Sequence, residues 1–250
     1  MGLHFVVYEG AIYNSTAFQQ IDAVQTEFET VNNNGFLIGP ENLVIGGTYY
    51  SAHGTRLRLQ APSLQVPDYP DLRAIMNARP SSSVKQRWDD FRAAPISLKQ
   101  MESLLAYGVD DNSTTENSYV GIYLCDKVPA PVAPTGRWIH GTGSTTLTAN
   151  AFTTCLISLD DQLPAGSYDV LAMRVQGASP VFARLALPGL GYRPGVPCVL
   201  DDLTDLPSPF NPGELGVLAS FLNTTQISVE VFATAADTAQ SVYFYVNGPK

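Results

Sequence analysis

The chain has 250 residues, of which 15% are charged and 45% apolar, with 20 Gly and 18 Pro. An average soluble domain is roughly 25% charged, so this is a dry, turn-rich sequence, and its 12 Tyr, 11 Phe and 2 Trp supply enough apolar surface to exclude intrinsic disorder. The net charge of −9 excludes a globally basic coat for nucleic acid, and the length allows one large domain or two small ones with a core that needs no disulfide or metal.

The first residues, MGLHFVVYEGAIYN, have no basic region and carry Glu9 early. Neither a signal peptide nor a transmembrane segment is expected there. Strands are predicted over Leu3–Tyr8, Asn42–Tyr50 and Thr55–Gln60. Residues 1–55 contain no Lys or Arg at all, yet eight of the fourteen basic residues follow within 44 positions: Arg56, Arg58, Arg73, Arg79, Lys85, Arg87, Arg92 and Lys99. Such a concentration on an acidic protein marks a candidate interface or interior face that meets an acidic neighbour, either nucleic acid or another copy of the subunit.

The same stretch reads as a short helical insertion over about 70–108. Ser97-Leu-Lys-Gln100 follows Pro95 as a capping box, Leu98, Met101, Leu104 and Leu105 recur at helical spacing, and Gly108 supplies a stop. Val84–Arg92 and the stretch from Pro70 to Pro80 are weaker helical candidates. A strand over Tyr119–Cys125 comes next. Val128-Pro-Ala-Pro-Val-Ala-Pro134, with three prolines in six residues, then reads as a stiff connector. It separates a β-sandwich over 1–127 from a second over 135–250.

The second half alternates with period two. Val181, Ala183 and Leu185 alternate with Phe182 and Arg184, Val229 and Val231 with Ser228 and Glu230, and Val242, Phe244 and Val246 with Tyr243 and Tyr245. Strands are also predicted over Thr145–Leu159, Ser167–Val175 and Leu215–Leu222, separated by Pro/Gly turns. In the last strand the pair Tyr243 and Tyr245 faces outward, opposite the apolar row, and needs a covering surface. The fold class is therefore mainly β: two antiparallel sandwich units, or alternatively one large sandwich with insertions.

Signatures of chemistry are missing. No nucleophile elbow, P-loop, dinucleotide fingerprint or zincin helix occurs, and His4, His53 and His140 are far apart. Cys125, Cys155 and Cys198 form an odd set without metal or redox spacing and read as buried apolar residues. Gly141-Thr-Gly-Ser144 reads as a hairpin turn. Of the acidic pairs Asp89-Asp90, Asp110-Asp111, Asp160-Asp161 and Asp201-Asp202, the second and third read as turns, and Asp201-Asp202-Leu-Thr-Asp205 is the best calcium candidate among them, without a spacing specific for that ion. No catalytic, cofactor or metal residue is assigned, no small-molecule substrate is expected, and the chain is not expected to be an enzyme.

In size and layout, with two β halves, an insertion between Pro70 and Gly108 and a connector at Pro129, Pro131 and Pro134, the chain resembles the double-jelly-roll major capsid proteins of tailless icosahedral viruses and phages. The resemblance implies a structural virion protein: homotrimeric capsomers that contact neighbouring capsomers and other virion proteins and enclose a genome or an internal membrane, made in the host cytoplasm. No short motif defines that family, so no functional residue is carried over. The alternative is a carbohydrate- or receptor-binding β module, such as a spike or adhesin head.

Overall fold

A computed structural model describes residues 2–12, 17–51, 54–64, 74–77, 88–110, 115–198, 210–238 and 240–250. Two compact units follow one another, Met1–Val128 and Pro129–Lys250.

The first unit contains β1 (Leu3–Ile12), β2 (Gln19–Ala23), β3 (Val31–Asn32), β4 (Gly35–Leu37), β5 (Leu43–Tyr50), β6 (Gly54–Gln60), β7 (Ala74–Asn77), β8 (Asp89–Asp90), β9 (Ile96–Ser97), β10 (Ser103–Asp110) and β11 (Glu116–Cys125). Pairing is antiparallel throughout and gives two four-stranded arrays, β1-β11-β5-β8 and β2-β10-β6-β7. β9 prolongs the β5 edge beyond β8, and the β3–β4 hairpin adds to β10. β2 joins the arrays, because Gln19–Ile21 pair with β10 whereas Asp22 and Ala23 pair with β1.

The second unit contains β12 (Arg137–Gly143), β13 (Phe152–Leu159), β14 (Ser167–Gln176), β15 (Pro180–Ala186), β16 (Gly195–Pro197), β17 (Ala219–Leu222), β18 (Ser228–Ala233) and β19 (Gln240–Asn247). Its order is β12-β19-β14-β17 and β13-β18-β15-β16. Here β13 is the joining strand, with Phe152–Leu156 on β18 and Ile157–Leu159 on β12.

Counting the eight principal strands of each unit along the chain, both units arrange them as first-eighth-third-sixth in one sheet and second-seventh-fourth-fifth in the other. This is the jelly-roll order, two Greek keys closed into a sandwich. The joining strand is the second one in each case. The two halves thus share one topology although their sequences show no repeat.

Alternation explains which faces close the cores. Val6, Tyr8, Val120, Ile122, Leu57, Leu59, Leu104 and Ala106 belong to one buried cluster in the first unit. The Tyr8 hydroxyl crosses from β1 to donate to the Leu104 carbonyl on β10 at 2.6 Å, so one buried polar group ties the two sheets. In the second unit Val242, Phe244 and Val246 of β19 are buried with Ala183, Leu185, Val196, Val229 and Val231. Arg184 is also completely buried, its Nε and Nη2 on Glu230 at 3.0 and 2.6 Å and its guanidinium 3.8 Å over the Phe152 ring.

Among the described residues no helical insertion is seen, and the sole helical turn is a short 3₁₀ turn at Pro62–Leu64. Ser97 closes β9, Met101 turns the chain in a left-handed conformation (φ 67°), and Leu104–Gly108 lie in β10. Gly108 is an inward strand position, not a helix stop; a Cβ there would meet Ile12 Cδ1 at 2.4 Å and Tyr49 Oη at 2.9 Å. Residues 74–77, inside the candidate from Pro70 to Pro80, are strand β7, and 89–90, inside Val84–Arg92, are strand β8; residues 70–73 and 78–87 lie outside the described residues. Gly141-Thr-Gly143 forms the end of β12 in place of a hairpin turn. The predicted strand from Thr145 starts only at Phe152.

Residues 128–136 join no strand. They are held by the second unit through Val132 N donating to Gly213 O at 2.8 Å and Thr135 N donating to Asn247 Oδ1 at 3.0 Å.

Candidate assembly surfaces

The clearest outward surface of the second unit lies on the β12-β19-β14 sheet. Register places Trp138, Tyr245 and Ala172 in one row and His140, Tyr243 and Arg174 in the next. These rows alternate with Ile139, Phe244 and Met173, which point into the core, so the period of two decides the outward set. Trp138 stands edge-on to Tyr245 with ring centroids 5.5 Å apart and is 42% exposed. His140 tilts against Tyr243 at 4.6 Å, and the Arg174 guanidinium lies 5.8 Å from the Tyr243 centroid.

Polar groups fix these rings. The His140 Nδ1 donates to Asp160 Oδ2 at 2.5 Å, and the Tyr245 hydroxyl donates to the Gly136 carbonyl at 2.8 Å. Held side chains lose little further rotamer entropy on contact, and Trp, Tyr and Arg are the types that dominate interface energetics. Tyr243 and Tyr245 therefore sit half-buried on an aromatic face that also includes Trp138, His140 and Arg174. His140 and Arg174 carried no motif; their membership is visible only once the strand register is known.

The first unit presents a different surface on its β2-β10-β6 sheet. Arg58 lies between Phe18 and Tyr107, its guanidinium 4.1 and 5.3 Å from the ring centroids, and Arg56 reaches the Phe18 ring at 5.4 Å. Cation–π contact of this kind stiffens long basic side chains while leaving their charge in place.

The eight basic residues do not all share this face. Arg92 belongs to the β8–β9 edge of the opposite sheet, where Nε and Nη2 grip Asp90 at 2.9 and 2.7 Å and the guanidinium stands 5.1 Å from Trp88. Those hydrogen bonds from Arg92 hold the Asp90 carboxyl below its ordinary range. Lys99 follows β9 and is exposed, its backbone N–H donating to Glu102 Oε1 at 2.7 Å. Arg73, Arg79, Lys85 and Arg87 lie outside the described residues, as do Asp201, Asp202 and Asp205.

Groups suited to covalent chemistry are withdrawn from solvent. Cys125, Cys155 and Cys198 are free and buried; burial pushes the Cys125 thiol up to about 11 and raises the other two. Among the described residues no group of three or more His, Cys, Asp and Glu is placed to hold a metal ion. No described helix is long and apolar enough to cross a membrane.

No protein-family model matches the chain, and no curated protein matches it significantly. What the chain offers to a functional reading is therefore its tandem jelly-roll topology and these two outward faces.

Proposed function

We propose that this chain is a structural virion protein, a self-assembling subunit that builds trimeric capsomers of an icosahedral shell. The observation that carries the reading is the recurrence of one jelly-roll strand order in both halves of a single chain. Jelly rolls serve in viral capsids, lectin domains and cupins, and a tandem pair of stiff sandwiches with low surface charge suits a building block. Its partners are further copies of itself, then other virion proteins and an enclosed genome or membrane. It uses no cofactor and turns over no substrate.

The physical work of such a subunit is to trade exposed aromatic and basic-aromatic surface for subunit contacts. Ring-forming contacts are heterologous, one patch on each copy meeting a different patch on the next. The Trp138–Tyr245 rows of the second unit and the Arg56–Phe18–Arg58 face of the first are two outward patches available to contacts of that kind, each with a partner patch of its own. Light scattering coupled to size exclusion tests the reading on the full chain. Trimers or larger assemblies are expected; a particle that stays at the 27.0 kDa mass at high concentration and across salt contradicts it.

The exposed Trp138 beside Tyr245 and Tyr243 favours a second reading, a glycan- or receptor-binding module in which sugars stack on these rings. Glycan-array binding abolished by Trp138→Ala, with the mass of the native particle unchanged, selects it over the first.

A further inference from the structure

Strand β2 links two surfaces of opposite character. Just before it, Phe18 carries Arg56 and Arg58. Near its far end, Asp22 lies directly opposite Glu9 of β1. The row continues through Tyr119 of β11, opposite Glu9, to Tyr50 of β5, and the two tyrosine rings stack at 5.9 Å.

Two carboxylates directly opposite each other across a strand pair repel. Burial first, and then the charge of Asp22, raise the Glu9 carboxyl above its ordinary range. Among the described residues neither Glu9 nor Asp22 has a basic partner, and Arg56 has no carboxylate partner. A single copy thus presents exposed Asp22 and half-buried Glu9 and Tyr50, backed by the buried Tyr119, at one end of β2 and a basic-aromatic face at the other.

We propose that the Arg56–Phe18–Arg58 face of one copy docks on the Asp22–Glu9 pair and the adjoining Tyr50 of the next copy. The inference rests on the self-assembling reading and names the contact that reading needs. Charge complementarity selects a second copy as the occupant: one contact brings Arg56 to the Glu9–Asp22 pair, and its two halves are unlike, as a closed ring requires. A polyanion on the basic face would leave the acidic pair unrelieved and would meet a protein of net charge −9.

The test uses the full chain in four forms: wild type, Arg56→Glu with Arg58→Glu, Glu9→Lys with Asp22→Lys, and all four substitutions together. Sedimentation velocity reads association, absorbance at two wavelengths reads co-purifying nucleic acid, and circular dichroism reads folding. Each reversal is expected to weaken association at least about tenfold, because it sets like charges face to face, and the fourfold form to regain most of it. Where a reversal lowers the melting temperature, the neutral pairs Arg56→Gln with Arg58→Gln and Glu9→Gln with Asp22→Asn replace it, with a smaller loss in the same direction.

Doubly substituted forms that associate like wild type, or a fourfold form no better than either double, overturn the docking and leave self-assembly standing. Loss of nucleic acid from the arginine variants with association unchanged gives the basic face to nucleic acid and overturns it too. A wild-type chain that never associates removes both readings.

Discussion

Replacing Glu230 by Ala removes a carboxylate that grips two buried arginines of the second jelly roll. Its Oε2 accepts from Arg184 Nε and Nη2 at 3.0 and 2.6 Å, and its Oε1 from Arg193 Nε at 3.1 Å. Arg184 is completely buried on β15, and Arg193 is anchored in the loop before β16 by Nη1 donating to the Leu190 carbonyl at 2.7 Å. Breaking a buried ion pair from one side costs about 3–5 kcal/mol, because the remaining charge loses its partner while still out of water. A unit of about 120 residues has an unfolding entropy near 0.25 kcal/mol/K, so each kcal/mol shifts Tm by about 4 °C.

Glu230→Ala is therefore expected to lower the melting transition of the second unit by about 12–20 °C. Arg184→Met combined with Glu230→Leu should cost less than Glu230→Ala alone, since no charge on β15 is then stranded. Scanning calorimetry reads both. A fall of under about 4 °C for Glu230→Ala, or a double variant worse than the single, refutes the claim that the pair is coupled and desolvated.

Gly121→Ala should destabilise the first unit by about 1–3 kcal/mol in a denaturant titration, because a Cβ at this site would lie 2.1 Å from Phe5 Cζ. The three thiols should resist alkylation at pH 8 in the folded protein and react at ordinary rates in guanidinium, since burial holds Cys125 up at about 11 and raises Cys155 and Cys198. In the single chain the raised Glu9 carboxyl means that the folded form binds its proton more tightly than the unfolded form. Stability from this group is then present at low pH and declines as pH rises from its ordinary value through the raised one. Glu9→Gln should raise Tm at pH 7 and leave it unchanged at pH 3.

The fold class was readable wherever large and polar residues alternate. Val242, Phe244 and Val246 against Tyr243 and Tyr245 mark both the strand and its outward pair, and β19 shows that alternation of burial. The helix over Ser97–Gly108 failed because the inward positions of β10 after Leu104 are Ala106 and Gly108, too small to register as an apolar row. At Gly108 the smallness has a cause: Ile12 and Tyr49 from the facing sheet occupy the space. β12 was hidden in the same way, since Gly141 and Gly143 alternate with His140 and Thr142, and a Cβ on Gly141 would meet Ile157 Cγ2 at 2.7 Å.

The outward surfaces were only partly legible. Tyr243 and Tyr245 stood out by their own spacing, but Trp138, His140 and Arg174 join them through register between strands far apart in the chain. The cluster of basic residues suggested one face, yet Arg56 and Arg92 fall on different sheets because β6 pairs with β10 whereas β8 pairs with β5. The Glu9–Asp22 opposition has no sequence signature at all; it follows from β2 leaving β10 for β1.

Electron microscopy of the full chain, purified under native conditions at neutral pH, tests self-assembly most directly. Closed shells, or rings of three subunits, are the expected images. A field of single particles of one chain each at every concentration and salt tried contradicts the shell-subunit reading.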